Sequence, residues 1–279
     1  FATMHHLFLT PYGVYLVVFN MQWLLPTAKE EVREDALNCL RFWLNSVAAH
    51  TTRSGREECA PVILVGTHKD IVNSPADHEE ISKLLFREFR GSAAWKSVRV
   101  LRDGEVSTGR GVLWFYPVNN RLGKKDPIVV ATMSCAEQCM LEEDYIRRKV
   151  PLAWVQVIDR LQSETREAIS LKELEGLCAE CGMPCSMASL EQETQYLARF
   201  FSGLGMIMYH SESSLKNIVV LRPAKFLVEP ATRFLCDFEI HVLDVHEVAK
   251  RKKPGLWDLL SNRGILDREL LPILWRDFK

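Results

Sequence analysis

The 279-residue chain balances 35 Lys and Arg against 36 Asp and Glu, a formal charge of -1, with 47% apolar and 25% charged residues. That balance argues against wholesale disorder and gives no general attraction to nucleic acid or anionic membrane, so either partner would need a local patch. The length suits about two domains, and no apolar run approaches the roughly 18 residues that span a bilayer.

The eight cysteines (39, 59, 135, 139, 178, 181, 185 and 236) are spread through patterned segments. They do not staple a mini-domain, so a reducing compartment and a cytoplasmic location are expected. Phe1-Ala2-Thr3-Met4 offers neither a starting methionine nor a signal peptide, and the chain reads as cut from something longer.

Tyr12 to Phe19 is an aromatic and β-branched run, read as a buried parallel strand. Thr27 with Glu30 forms a capping-box pattern before a crossover helix bearing Val32, Ala36, Leu37, Leu40, Trp43, Leu44 and Val47 at helical spacing. Pro61 to Val65 is too short for a helix and is bounded by Pro61 and Gly66, which makes it a central strand buried on both faces. In open α/β sheets ligands bind beyond the carboxyl ends of strands, so the following Thr67-His68-Lys69-Asp70 stands where chemistry is expected. Asp70 can accept two parallel hydrogen bonds, which suits the N1–H and amine edge of guanine; adenine lacks that donor pair. Ser74-Pro75 and an acidic first turn open a helix carrying Ile81, Leu84, Leu85 and Phe89. Ser97 to Leu101 and Val112 to Val118 read as strands with a turn at Asp103-Gly104. A loop at 119–125 and a helix over Asp126 to Met140 follow.

The alternation of strand and helix predicts an incomplete parallel sheet. Leu141 to Asp144 is taken as the boundary region. Beyond it, Pro151 stands at a predicted N1 position of a helix with Leu152, Val155, Ile158 and Leu161 on one face. Ser170 with Glu173 and Ser189 with Gln192 are capping boxes. Met206 to His210 and Lys216 to Leu221 make a hairpin, and three helices followed by a hairpin predict a winged helix. Pro223 to Asp237 reads as a helix broken at Pro230, and Glu239 to Leu243 as a strand. Lys250 to Lys253 reads as a solvated loop. Leu256 to Trp275 gives two short helices around Gly264.

Thr67-His68-Lys69-Asp70 resembles the guanine-specificity motif of small GTPases, in the Thr-His-x-Asp form of Roc domains of the Roco family. Val118-Asn119-Asn120 resembles the fifth guanine-nucleotide motif, whose backbone amides meet the guanine oxygen. Phe1 to Phe19 resembles the segment just after switch II, so the chain is expected to begin there. Tyr145 to Leu161, Arg222 to Leu227 and Gly264 to Trp275 resemble parts of a COR domain. The resemblance implies α/β followed by α+β: an incomplete Ras-like sheet at residues 1–141, the back of a Roc domain, then a winged-helix COR domain at 145–279, incomplete at its C-terminus.

The resemblance further implies guanine binding by Thr67, His68, Asp70, Asn119 and Asn120, with GTP or GDP as ligand. Mg²⁺ would be held by residues of the full-length parent, and COR would form a homodimer in a signalling protein. His68 would shield the base or support the loop. The sequence contains no Gly-x-x-x-x-Gly-Lys-[Ser/Thr], so there is no phosphate cradle, no catalytic residue is assigned, and the chain alone is expected to hydrolyse no GTP. Asp-Phe-Gly and His-Arg-Asp are absent as well, so a kinase activity of some Roco proteins finds no residues here. A non-enzymatic interaction scaffold with a degenerate nucleotide site is the alternative. Cys178, Cys181 and Cys185 lack a nearby fourth ligand, so they are read as packing and no metal is assigned. The helix at Leu190 to Phe201 carries Glu191 and Glu193 against Arg199, the wrong sign for nucleic acid.

Overall fold

The computed structural model describes residues 8–52, 58–102, 112–143, 149–212 and 214–278. The chain divides into two compact units, Phe1–Lys149 and Val150–Lys279.

In the first unit β2 (Val62–Thr67) is the centre of a parallel sheet, flanked on one edge by β1 (Tyr15–Asn20). Its other edge is shared by β3 (Val98–Arg99) at the start and β6 (Tyr116–Pro117) at the end. The run Val62 to Val65 is apolar throughout because both of its faces are covered. Val62 and Leu64 pack with Leu40, Leu44 and Val47 of α1 (Glu30–Thr51) and with Ile81, Leu85 and Phe89 of α2 (Pro75–Phe89). Ile63 and Val65 face the other way, into a cluster with Tyr116 and with Ile128 of α3 (Pro127–Glu142). Alternation at period two thus sorts one strand between two helical layers.

Several sequence expectations are corrected in this unit. The predicted strand at Tyr12 begins only at Tyr15, because residues 11–12 form a turn held by the Tyr15 hydroxyl, which donates to Thr10 O at 2.7 Å. Thr27 caps nothing: α1 starts at Glu30 behind Lys29, and the preceding chain is a short helical turn at Met21–Leu24 capped by Asn20. The long strands at 97–101 and 112–118 are two-residue pieces, including β4 (Leu101–Arg102) paired antiparallel with β5 (Val112–Leu113). The Asp103-Gly104 turn between them lies outside the described residues, as do residues 1–7 before β1.

In the second unit, α4 (Leu152–Ser163), α5 (Leu171–Glu180) and α6 (Leu190–Gly203) enclose one core with Val157, Leu161, Leu174, Leu197 and Phe201. Both capping boxes form as the sequence predicts, Ser170 with Glu173 and Ser189 with Gln192. Pro151 is the N-cap of α4 and not its first helical residue. The hairpin is present as β8 (Met208–Tyr209) and β9 (Ile218–Val220), joined by a third strand the pattern does not announce, β7 (Ala168–Ser170).

Beyond the hairpin, the helix predicted at 223–237 is present over 223–232, as a π-helical stretch at Ala224–Val228 that runs on into the short α7 (Glu229–Thr232); it passes through Pro230 without a break and stops short of Asp237. Glu239 to Leu243 is not a strand: the Asp237 carboxylate accepts from the Glu239 amide at 2.9 Å and curls the segment, leaving Ile240 and Val242 exposed. Lys250 to Lys252 belong to the last turn of α8 (Asp244–Lys252), not to a loop, where cations meet the negative end of the helix dipole. Gly264 at φ 66° ends α9 (Pro254–Arg263), and α10 (Leu271–Leu274) follows, as the glycine turn predicts. Among the described residues no helix is long and apolar enough to cross a membrane.

The loop before α6 hangs on one buried carboxylate. Glu193 accepts from the Trp154 indole at 2.9 Å, from the Cys185 and Ser186 amides at 2.9 and 3.0 Å, and from the Ser186 hydroxyl at 2.7 Å. Burial raises its pKa, but these donors outweigh burial and hold it below the ordinary 4.5. Its contribution to stability is therefore complete above that unfolded value and is lost as pH falls through the lower folded one. Glu193→Gln should destabilise the second unit at neutral pH and flatten its acid unfolding relative to wild type as pH falls below the ordinary 4.5; parallel pH–stability curves would contradict this.

Gly66 supplies a second test. A Cβ there would stand 2.7 Å from both Met21 Cγ and a Phe115 ring carbon. Gly66→Ala should cost the first unit about 1–3 kcal/mol through overpacking. Gly176→Ala, in the open on α5, should instead gain up to about 1 kcal/mol. Denaturant titration of both variants checks the contrast.

Candidate functional site

The polar residues gathered by the sequence lie at the carboxyl ends of β2 and β6, which are parallel neighbours through Val65 with Tyr116 and Gly66 with Pro117. Pairing continues past the strands: the Val118 amide donates to Gly66 O at 2.8 Å and the Lys69 amide to Val118 O at 3.3 Å. Thr67 to Asp70 and Asn119 to Asn120 are thereby brought onto adjoining loops.

The first loop turns on His68, whose φ of 66° is the left-handed conformation that histidine enters more readily than most side chains. Its carbonyl then accepts the amides of Ile71 and Val72 at 3.0 and 2.9 Å. Thr67 Oγ1 lies 3.0 Å from Phe19 O, to which it donates, and 3.0 Å from His68 Nδ1, from which it can accept. The Thr67 hydroxyl thus braces β2 against β1, and the imidazole of His68 supports the loop. His78 of α2 closes the turn from below, with Nε2 2.8 Å from Val72 O, and burial together with the nearby Lys69 ammonium lowers its pKa.

The second loop is organised by a residue the sequence reading placed only at a helix start. Asp126 is 1% exposed and caps α3 by accepting the Ile128 amide at 3.0 Å. That same oxygen, Oδ1, accepts from the Lys69 ammonium at 3.1 Å, and the other, Oδ2, accepts the Asn119 amide at 2.7 Å. Burial pushes its carboxyl up, but the two amides and Lys69 prevail and keep it below the usual range. Asn119 turns its side chain inward to the loop, Oδ1 accepting the Arg121 amide at 3.1 Å.

Two groups remain for a ligand. The Asn120 amide donates to no acceptor among the described residues. Asp70 presents its carboxylate at the rim, where Arg121 approaches it at 3.3 Å; the Arg121 side chain is 83% exposed, so this pair is screened and easily exchanged. A carboxylate beside a backbone donor suits a planar group that offers two donors next to an acceptor. Asn119 differs from its expected part: its amide is already taken by Asp126, leaving Asn120 as the amide available to an oxygen. Lys69, Arg121 and Asp126 were not legible as site residues. The Asp-Pro step at 126–127 does signal a helix start, but nothing in it announces a partner 57 positions away.

Cys178 is buried in the core of the second unit and Cys181 is the C-cap of α5. Among the described residues no group of three His, Cys, Asp or Glu could hold a metal ion.

No family model matches the chain. The probable serine/threonine-protein kinase pats1 of Dictyostelium discoideum is 24% identical over 224 residues, which are 80% of this chain and 6% of that protein. The probable serine/threonine-protein kinase roco6 of the same organism is 29% identical over 114 residues, 40% of this chain and 4% of that protein. The chain therefore spans a small fraction of the length of these relatives. The structure of Methanosarcina barkeri Roco2 RocCORdC bound to GDP matches with a TM-score of 0.56 at 16% identity, covering 98% of this chain and 68% of that one. At that identity the match is one of fold. Sequence and fold together relate this chain to the Roc-COR region of Roco proteins.

Asp126→Ala should cost about 2–4 kcal/mol, since it orphans two amide donors and removes a helix cap. Hydrogen exchange at the Asn119 and Ile128 amides should accelerate with it. Lys69→Met should cost less, because the carboxylate keeps both amides; a loss equal to that of Asp126→Ala would show that the ion pair, and not the amides, holds the loop.

Proposed function

We propose that the chain is a portion of a guanine-nucleotide-responsive Roco signalling protein, with residues 1–141 from the Roc domain and 145–279 from a winged-helix COR domain that forms a homodimer. The observation that carries the reading is the convergence of Asp70 and the Asn120 amide on adjoining loops at the ends of parallel strands β2 and β6. Asp70 would accept the guanine N1–H and amine, and the Asn120 amide would donate to the guanine oxygen. Thr67 and His68 hold the loop that presents Asp70, and Asn119, fixed by Asp126, holds the loop that presents Asn120.

Support comes from outside the site as well. The Roco2 structure that shares this fold is bound to GDP. Three helices with the antiparallel strands β7, β9 and β8 are the elements a winged helix requires. The ligand is GTP or GDP, with Mg²⁺ held elsewhere in the parent protein, in the cytoplasm. Any GTPase or kinase activity belongs to that parent, since these 279 residues contain neither the phosphate-binding Gly-x-x-x-x-Gly-Lys-[Ser/Thr] nor the Asp-Phe-Gly and His-Arg-Asp of a kinase.

One observation favours the second reading, a non-enzymatic scaffold with a degenerate site: Arg121 already engages the Asp70 carboxylate. Titration of the parent protein with GDP and ADP separates the two. Guanine should be preferred, and Asp70→Ala should erase the preference by removing charge-assisted hydrogen bonds of about 1.5–3 kcal/mol each, or at least tenfold in Kd. Equal affinity for GDP and ADP in the wild-type protein would favour the scaffold, and GTP turnover by residues 1–279 alone, above a buffer control, would refute the view that the chemistry lies elsewhere.

A further inference from the structure

The first unit contains a cavity of about 1120 Å³ between β3, β6 and α3, lined by none of Thr67, His68, Asp70, Asn119 and Asn120. Two cysteines of α3, Cys135 and Cys139, lie on its wall one helical turn apart. Cys139 is 2% exposed, whereas Cys135 is half-buried and open to the cavity. Arg99 of β3 faces both sulfurs. Its Nη2 donates to Glu142 Oε2 at 3.1 Å, while its Nε is buried without a hydrogen-bond partner.

The rim is strongly one-sided. Arg99, Arg102, Lys124 and Lys125 line the cavity against the single carboxylate of Glu142 among the described residues. A metal cation is a poor candidate for such a place, which offers two sulfurs and an excess of cations over carboxylates among the described residues. An anion with thiol-reactive sulfur fits both features.

We propose that Cys135 is a thiol–disulfide exchange site for a small carboxylate-bearing disulfide of the glutathione type, with Cys139 and Arg99 as positioning residues. The Cys135 proton passes to solvent. The resulting thiolate faces the Arg99 guanidinium and accepts the Cys139 S–H. Its sulfur attacks one sulfur of the incoming disulfide, a Cys135–sulfur bond forms, and the old S–S bond breaks. The bonding pair leaves on the other half as a thiolate that takes up a proton, so one thiol is oxidised as one half-disulfide is reduced. The hydrogen bond to Cys135 and burial together hold the Cys139 thiol protonated far above its usual range, so it serves as donor and does not displace the adduct. Lys124 and Lys125, both exposed, attract the carboxylates of the incoming molecule.

The test uses the whole 279-residue chain incubated with oxidised glutathione near neutral pH, with adduct formation mapped at each cysteine over time. Cys39 is exposed and serves as the internal comparator. The basic rim gathers the anionic disulfide beside Cys135, so Cys135 should react roughly severalfold faster than Cys39 despite being less exposed. With the uncharged bis(2-hydroxyethyl) disulfide the advantage should shrink. Lys124→Gln with Lys125→Gln should slow only the reaction with oxidised glutathione, and added salt should do the same. Cys139→Ala should move the pH–rate profile of Cys135 to higher pH, which a purely structural role would not. A Cys135 rate no greater than that of Cys39, an equal preference for the uncharged disulfide, an unmoved pH profile, or a Cys135–Cys139 disulfide in place of the adduct would each overturn the proposal.

Discussion

The geometry of the first unit depends on the carboxylate of Asp126. It joins the end of β2 through Lys69, the end of β6 through the Asn119 amide, and the first turn of α3 through the Ile128 amide. Removing a charge from water is costly, and an aspartate this buried is tolerated only because three donors converge on it. The second unit repeats the device with Glu193, which collects an indole, two amides and a hydroxyl ahead of α6. In both places an acidic side chain near a helix start does more than cap. It fixes a loop that has no regular structure of its own.

The sheet is unequal on its two faces in a way that bears on this arrangement. β2 is closed on both sides, so its side chains carry no polar function until the strand ends at Gly66 and Thr67. β1 is closed on one side only: Val17 and Phe19 point into the core, whereas Leu16 and Val18 are 50% and 60% exposed. The rigid centre thus holds the loop at 67–72, and the less protected strand beside it accepts the Thr67 hydroxyl at Phe19 O.

What the sequence made legible follows from signal length and locality. The central strand, α1, α2 and the helices behind Ser170 and Ser189 each carry many apolar positions or a reciprocal cap within a few residues, and they form where expected. β3 to β6 span two residues each, too short for any alternation to register, and β7 is three residues hidden in front of a helix. Ile240 and Val242 have strand propensity but no partner strand among the described residues, and Asp237 turns the segment instead. In the candidate site the positions of the loops at 67–70 and 119–120, at strand ends, could be read because their strand contexts are local. Lys69 with Asp126 could not, because that pairing exists only once two β-α units are folded together.

The left-handed backbone at His68 limits which sequences can build this loop at all. A position with φ near 66° admits Gly, Asn, Asp or His at little cost and resists Val, Ile or Thr, whatever ligand is present. Divergence here is filtered first by chirality and only then by chemistry. A homologous chain could exchange the imidazole for an asparagine amide and keep the path of the loop, whereas one β-branched replacement would redirect the chain and carry Asp70 away from Asn120.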